Sequence, residues 1–435
     1  MTSSSRDAAL GRNSLALTVS AAATAGLGLV YWIVVGRLYP PTEVGAAAAV
    51  ITAATMLSAF GNLGLGAYFE RFLPVAGPVR TRLAVRGMTI GAVGGLLLGV
   101  GFLLVGPTGD MFANTTQRLL FPMFVVALSS FALLDHLSIA MHRADWAATK
   151  NIVHAVVKLG LAAGAAAFIG RTGITLTWIG TAVVVGAVLA VVAFVRLRAD
   201  STEAPPADLP PMSEQLRFAA GNYGVYVVTA LAPLILPMIV IARVGAGHNA
   251  YFAIVWSLIT AVTVLLTMLM GPYVSAVAAQ PERMRELSTR FATIMLAVAG
   301  LACVGLVVAG PIVLSLAGSD YAEHGARVLQ LAALALPLAA VNIGFTALSR
   351  VRRRLAPALA VQIVTATLML TLTVRWIDGH GLIAAAWAML IAEGAAAVLV
   401  SVPLIHAWRG SGRSRSTVEP EPEPEPELVD DAPAH

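Results

Sequence analysis

Four ionisable residues stand inside apolar stretches of the first half of the chain: Asp135 and His136, then His154 and Lys158. A charge in hydrocarbon is costly, so such groups face a partner, a wet cavity or a ligand. His154 and Lys158 are four residues apart and share one helical face. Asp135 lies six residues before the end of its apolar run at 141, and Lys158 six residues after the start of the next at 152. At 1.5 Å per residue both are then ~9 Å deep. Three readings stand side by side. The first is a structural ion pair between antiparallel neighbours, retained because losing one member strands the other. The second is a cationic wall for a phosphate-bearing ligand, since Lys and protonated His suit phosphate as point charges. The third is snorkelling towards lipid headgroups.

Glu393 lies about twelve residues into the last apolar run, with no charged neighbour along it. A carboxylate at that depth is neutral or holds a cation. It is read either as a hydrogen-bonded interface residue or as a coupling site for H⁺ or Na⁺. Arg71 follows Glu70 at the end of the second run, where an interfacial anchor is the blander reading. Asn222 and Asn342 serve either as glue between helices or as hydrogen-bond partners for a sugar. Pro233, Pro237 and Pro337 interrupt apolar runs and predict bends there. The sequence contains no P-loop and no HExxH, and its eight histidines are scattered, so neither a hydrolytic constellation nor a metal-ligand cluster is legible. A single cysteine, Cys303, forms no intramolecular disulfide. No cofactor is expected beyond a coupling ion, and no enzymatic activity.

The elements that carry these residues follow from composition. Of the 435 residues 58% are hydrophobic and 12% charged, against about 25% charged in a soluble domain. Mean hydropathy is +0.82. A soluble fold of this size lacks the interior to hide that much apolar surface. The expectation is an all-α polytopic membrane protein. Twelve apolar runs reach the ~20 residues a spanning helix needs. They are roughly 14–36, 44–66, 83–106, 119–141, 152–170, 174–195, 218–241, 250–271, 291–314, 328–348, 355–374 and 381–407. None shows the alternation of a barrel strand. With the N-terminus inside, 21 Lys and Arg fall on cytoplasmic segments and 6 on outer loops. This split predicts both termini in the cytoplasm of a multi-pass cell-membrane protein. It also accounts for the net charge of +5 without nucleic acid.

The Pro-rich, acidic stretch 198–213 is the longest polar interruption. It divides the chain into a short N-terminus (1–13), an N-lobe (14–197), a linker (198–213), a C-lobe (214–408) and a tail (409–435). The tail's Glu-Pro repeats, Glu419 to Pro426, cannot build a core. They read as a solubilising tail or as a docking site for a cytoplasmic partner. The lobes look like a parallel repeat. Gly66-Ala67-Tyr68 and Gly271-Pro272-Tyr273 each close a helix, and basic turns at Arg143 and at Arg350 to Arg354 follow the fourth and tenth. Arg12-Asn13 opens the first helix and Gly221-Asn222 lies near the start of the seventh, and the separations of these pairs are all near 205–209 residues. Repeats of this kind in transporters put the substrate between the lobes.

Local text adds a resemblance. Gly36-Arg37-Leu38-Tyr39-Pro40 through Glu43-Val44-Gly45 follows the first helix, and Asn62-Leu63-Gly64-Leu65-Gly66 with Arg71-Phe72-Leu73-Pro74 closes the second. Leu216-Arg217-Phe218-Ala219 and Asn222-Tyr223 open the seventh. Over residues 12–408 the chain resembles the polysaccharide flippase branch of the multidrug/oligosaccharidyl-lipid/polysaccharide exporter superfamily. That resemblance implies two six-helix lobes and a flippase working by alternating access. Its cargo would be a lipid-linked oligosaccharide of the undecaprenyl-diphosphate type, with polysaccharide-synthesis proteins as partners besides membrane lipids. An ion-coupled multidrug exporter of the same fold is the alternative, though the first lobe carries more base than acid and favours an anionic cargo. A polysaccharide polymerase or ligase ranks last, because the longest outer segments, 107–118 and 315–327, are about a dozen residues.

Overall fold

The computed structural model describes residues 24, 26–106, 108–165, 170–202, 205–352 and 354–410. The expected N-terminal segment, the first turns of helix one and the tail from 411 lie outside the described residues.

The N-lobe contains α1 (Gly26–Leu38), α2 (Pro41–Gly61), α3 (Leu65–Phe72), α4 (Arg80–Val105), α5 (Thr115–Ala140), α6 (Ala144–Ala165) and α7 (Gly170–Thr202). The C-lobe contains α8 (Met212–Met268), α9 (Met270–Ala279), α10 (Met284–Ala317), α11 (Ser319–Ala333), α12 (Leu336–Val351), α13 (Leu355–His380) and α14 (Ile383–Gly410). Among the described residues eight helices are long and apolar enough to cross a membrane, and the bent pair α11–α12 makes a ninth. One of the eight is the continuous stretch Met212–Ala279, 68 residues long. At 1.5 Å per residue it measures ~100 Å, three bilayer cores, and Gly245, its non-helical residue at φ 81°, divides it in two. α6 is long enough to cross but less apolar, because Lys150, Asn151, His154 and Lys158 sit on it. With α1 these give the expected order of about twelve crossings.

The parallel repeat is visible in the elements. A 3₁₀ turn starts at Gly77 and at Pro281, and a long helix at Arg80 and at Met284, the same separation of 204 residues. Each turn follows a short helix, α3 or α9, that continues a spanning helix after a break. Arginines gather at the end of the bundle that holds these turns.

Small residues decide what packs centrally. Seven of the 21 residues of α2 are Ala, with buried Val and Ile between them, and the helix lies along α8 at the junction of the lobes. The buried face of α4 is a glycine row, Gly87, Gly91, Gly95 and Gly99. It admits α2 so closely that a Cβ on Gly94 would strike the Gly61 carbonyl. The outward faces remain apolar: Leu104 is 79% exposed, Leu301 76% and Val191 65%. Such a surface suits lipid, which offers backbone groups no partner and so demands helices.

Pro337 stands at the start of α12, just after a 43° bend from α11, as expected for the tenth crossing. Pro233 and Pro237 lie inside α8, whose non-helical residue is Gly245 instead. The expected outer segment 315–327 is largely helical, with Gly318 alone between α10 and α11. The expected linker begins as helix, since α7 runs to Thr202. Its described remainder lies on the α3–α4 turn. Asp208 N–H donates to the Val75 carbonyl at 2.9 Å. Gly77, at φ 52°, faces the Pro205 carbonyl with no room for a side chain.

Candidate functional site

Lys150, His154 and Lys158 recur every four residues, so α6 carries them on one face. All three are buried, together with Ala147, Ala155 and Ala162. The small residues let α5 and α7 approach, and the bases point into the bundle rather than at lipid.

Lys150 is the residue that pairs with Asp135. Its Nζ stands 2.9 Å from Asp135 Oδ1, donates to the Phe131 carbonyl and lies 3.4 Å from the Phe131 ring centroid. Asn151 Nδ2 donates to Asp135 Oδ2 at 3.2 Å. The expected Asp135–Lys158 pair does not form. α6 begins at Ala144, after a tight turn in which Arg143 N–H donates to the Ser138 carbonyl. Residues equidistant from that turn meet across the antiparallel pair. Counting from 152 displaced the partner by two turns, ~12 Å along the helix.

Lys158 has no carboxylate within ion-pair reach among the described residues, yet it is only 5% exposed. Its Nζ lies 3.2 Å from the centroid of Trp178 on α7 and 5.0 Å from that of Tyr31 on α1. The two rings meet edge to face at 5.0 Å. Aromatic faces attract an ammonium, worth about 0.5–2 kcal/mol, but they do not neutralise it. His154 Nε2 donates to the Trp178 carbonyl at 3.0 Å, since a carbonyl only accepts. Tyr31 and Trp178 border an apolar cluster that also holds Leu236 and Val240 of α8, so this corner touches the second lobe.

His136 belongs elsewhere. Its Nδ1 is 2.7 Å from Glu70 Oε1 on α3, and both side chains are about 40% exposed. The four-residue cluster expected from sequence is therefore two separate sites, because adjacent residues on a helix point about 100° apart. Among the described residues Arg71 makes no ion pair. Its guanidinium covers the rings of Phe218 at 4.3 Å and Phe72 at 5.4 Å. Beside it Tyr68 Oη donates to Gln215 Oε1 at 2.7 Å. Together they clasp α3 to the start of α8 at the arginine-rich end. At the opposite end Asn249 Nδ2 donates to the Gly45 carbonyl at 2.8 Å, joining the lobes there. Asn222 Nδ2 donates to the Phe218 carbonyl of its own helix.

Glu393 is less solitary than its sequence suggests. Asn342 Nδ2 on α12 points at Glu393 Oε2 from 3.5 Å. Asn342 Oδ1 is buried without a hydrogen-bond partner among the described residues. Sequence reasoning missed Trp178, Tyr31 and the role of Lys150. The four-residue spacing of Lys150 with His154 and Lys158 was the available signal. Among the described residues no group of three potential metal ligands comes together.

Fold and geometry define a helical membrane protein of two repeated lobes, whose buried bases and half-buried Glu393 stand on opposite sides of the junction. Solved structures share this architecture. A multidrug resistance MATE family transporter of the MOP superfamily, in an inward-facing conformation, superposes with a TM-score of 0.70, covering 90% of this chain and 96% of that one at 14% identity. The lipid II flippase MurJ, in an inward closed conformation, gives 0.69 over 91% and 89% at 11% identity. A MOP superfamily transporter from Pyrococcus furiosus gives 0.54 over 92% and 96% at 13% identity. No curated protein matches the chain in sequence. The model of the polysaccharide biosynthesis protein family matches residues 10–279, and the chain belongs to that family.

Proposed function

We propose that the protein is a flippase that carries a lipid-linked saccharide precursor, of the undecaprenyl-diphosphate type, across the cell membrane for polysaccharide synthesis. One observation carries the anionic cargo. Lys158 is buried where the lobes meet, with aromatic faces but, among the described residues, no carboxylate in ion-pair reach. A diphosphate arriving there supplies the missing counter-charge, with His154 one turn away. The family match and the likeness of fold to a lipid II flippase support the same reading.

In this reading α14 and α12 serve energy coupling. Glu393 and Asn342 take up H⁺ or Na⁺ while the lobes rock, and Arg71 and Asn222 lie on the loading side. Both termini and the 198–213 linker are cytoplasmic, following the arginine-rich end. The chain performs transport and no bond-breaking chemistry.

The test is reconstitution. Vesicles holding the protein should move a fluorescent undecaprenyl-diphosphate sugar between leaflets. Lys158→Met should keep the folded yield and lower that rate at least tenfold, with Lys158→Arg partly restoring it. Movement of cationic dyes without movement of the lipid diphosphate would replace this reading with the drug-exporter alternative.

A further inference from the structure

At the arginine-rich end of the C-lobe an open cleft of about 720 Å³ is lined by Glu282, Arg283, Arg285, Glu286, Thr289 and Arg290. Arg283 is spent locally. Its guanidinium holds both oxygens of Glu286, at 3.0 and 2.7 Å, and Gln280 Oε1 at 2.8 Å. The lining also holds Glu282, Arg285 and Arg290, so arginines outnumber carboxylates there by three to two. More positive charge stands beside the cleft. Val351 packs in one apolar cluster with Met284 and Leu287, which brings the exposed Arg350 and Arg354 to the same corner. Nothing in the proposed transport cycle uses this face.

The chain carries a matching acidic segment. Seven of its 23 acidic residues fall between Glu419 and Asp431, alternating with proline up to Pro426. Proline at every second position excludes helix, so successive carboxylates stand ~6 Å apart at about 3.1 Å per residue. The route is short. α14 ends at Gly410 on the same end of the bundle, and Val400 packs beside Phe345 of α12. α12 in turn packs on α10. Two helix spacings of 8–10 Å make ~20 Å, while the eight residues 411–418 span ~25 Å at the same rise per residue.

We propose that this cleft is the docking site of the chain's own Glu-Pro segment, which lies across α10 and α12 and shields their arginines. Exposed ion pairs are individually weak, so the docking is multivalent and sensitive to salt. The competing occupant is an anionic lipid headgroup, which ordinarily meets arginines at such a face.

The full-length protein tests this with Cys303→Ala as background and cysteines introduced as Thr289→Cys and Pro422→Cys. A short bismaleimide should link the two in phosphatidylcholine nanodiscs. Glutamine at 419, 421, 423, 425 and 427 should lower the yield at least tenfold, as should raising salt from about 0.05 to 0.5 M. Elution as a monodisperse peak controls for folding. Equal yield with glutamine would reduce the proximity to tethering and overturn the proposal. So would the absence of any link, or its loss whenever phosphatidylglycerol is present.

Discussion

Asp135→Ala removes the carboxylate from Lys150, whose side chain is 1% exposed, while that of Asp135 is 27% exposed. Stranding one member of a fully buried pair costs about 3–5 kcal/mol. Two features reduce the figure here. Asp135 already reaches some solvent, and Lys150 keeps the Phe131 carbonyl and ring, the ring alone being worth about 0.5–2 kcal/mol. The expected loss is about 2–3 kcal/mol, or ~30–150-fold in the folded-to-unfolded ratio at 1.4 kcal/mol per tenfold. In detergent the unfolding midpoint should fall by ~2–6 °C, at about 1–2 °C per kcal/mol for a chain of this size. Asp135→Ala with Lys150→Met should recover most of it, because a matched apolar pair is nearly neutral. Asp135→Ala with Lys158→Met should give only the sum of its parts, since independent sites add. Fluorescence-detected size exclusion after a heating series reads wild type, the single mutants Asp135→Ala, Lys150→Met and Lys158→Met, and the two double mutants. Single-mutant midpoints within a degree of wild type, or strict additivity for the 135/150 pair, would refute the assignment of this ion pair.

Gly45 and Gly64 should act as opposite locks. A Cβ on Gly45 collides with the Ala246 carbonyl, and one on Gly64 lies 2.8 Å from the Ala219 carbonyl in a left-handed conformation; Gly45→Val should open the end near α8's Gly245 to thiol reagents, and Gly64→Val the arginine-rich end. Glu393→Gln should leave the protein folded and abolish the dependence of transport on pH, sodium or voltage; unaltered dependence in vesicles would leave Glu393 a packed interface residue beside Asn342. Gly109→Cys should react with impermeant maleimide on intact cells and Pro206→Cys should not, and the reverse pattern would invert the topology.

The sequence alone determined solvent, class and order of crossings. Those depend on one-dimensional quantities: runs of about 20 apolar residues, the sidedness of arginine, and a repeat whose separations survive in the 204 residues between equivalent turns. It also selected two of the three buried bases, His154 and Lys158, because the penalty for a charge in hydrocarbon applies wherever the helix sits, but it left Lys150 in a loop. Partnerships were beyond it. Depth along a helix is legible from residue counting, but azimuth and the start of the neighbouring helix are not. A helix start placed eight residues late exchanged Lys150 for Lys158, and a 100° step sent His136 to Glu70 while Asp135 faced α6. Trp178 and Tyr31 come from α7 and α1, and Asn342 reaches Glu393 from 51 residues away. Only the packing of helices distant in sequence could show that one lysine has its counter-charge and the other, two turns further along the same face, has two aromatic rings.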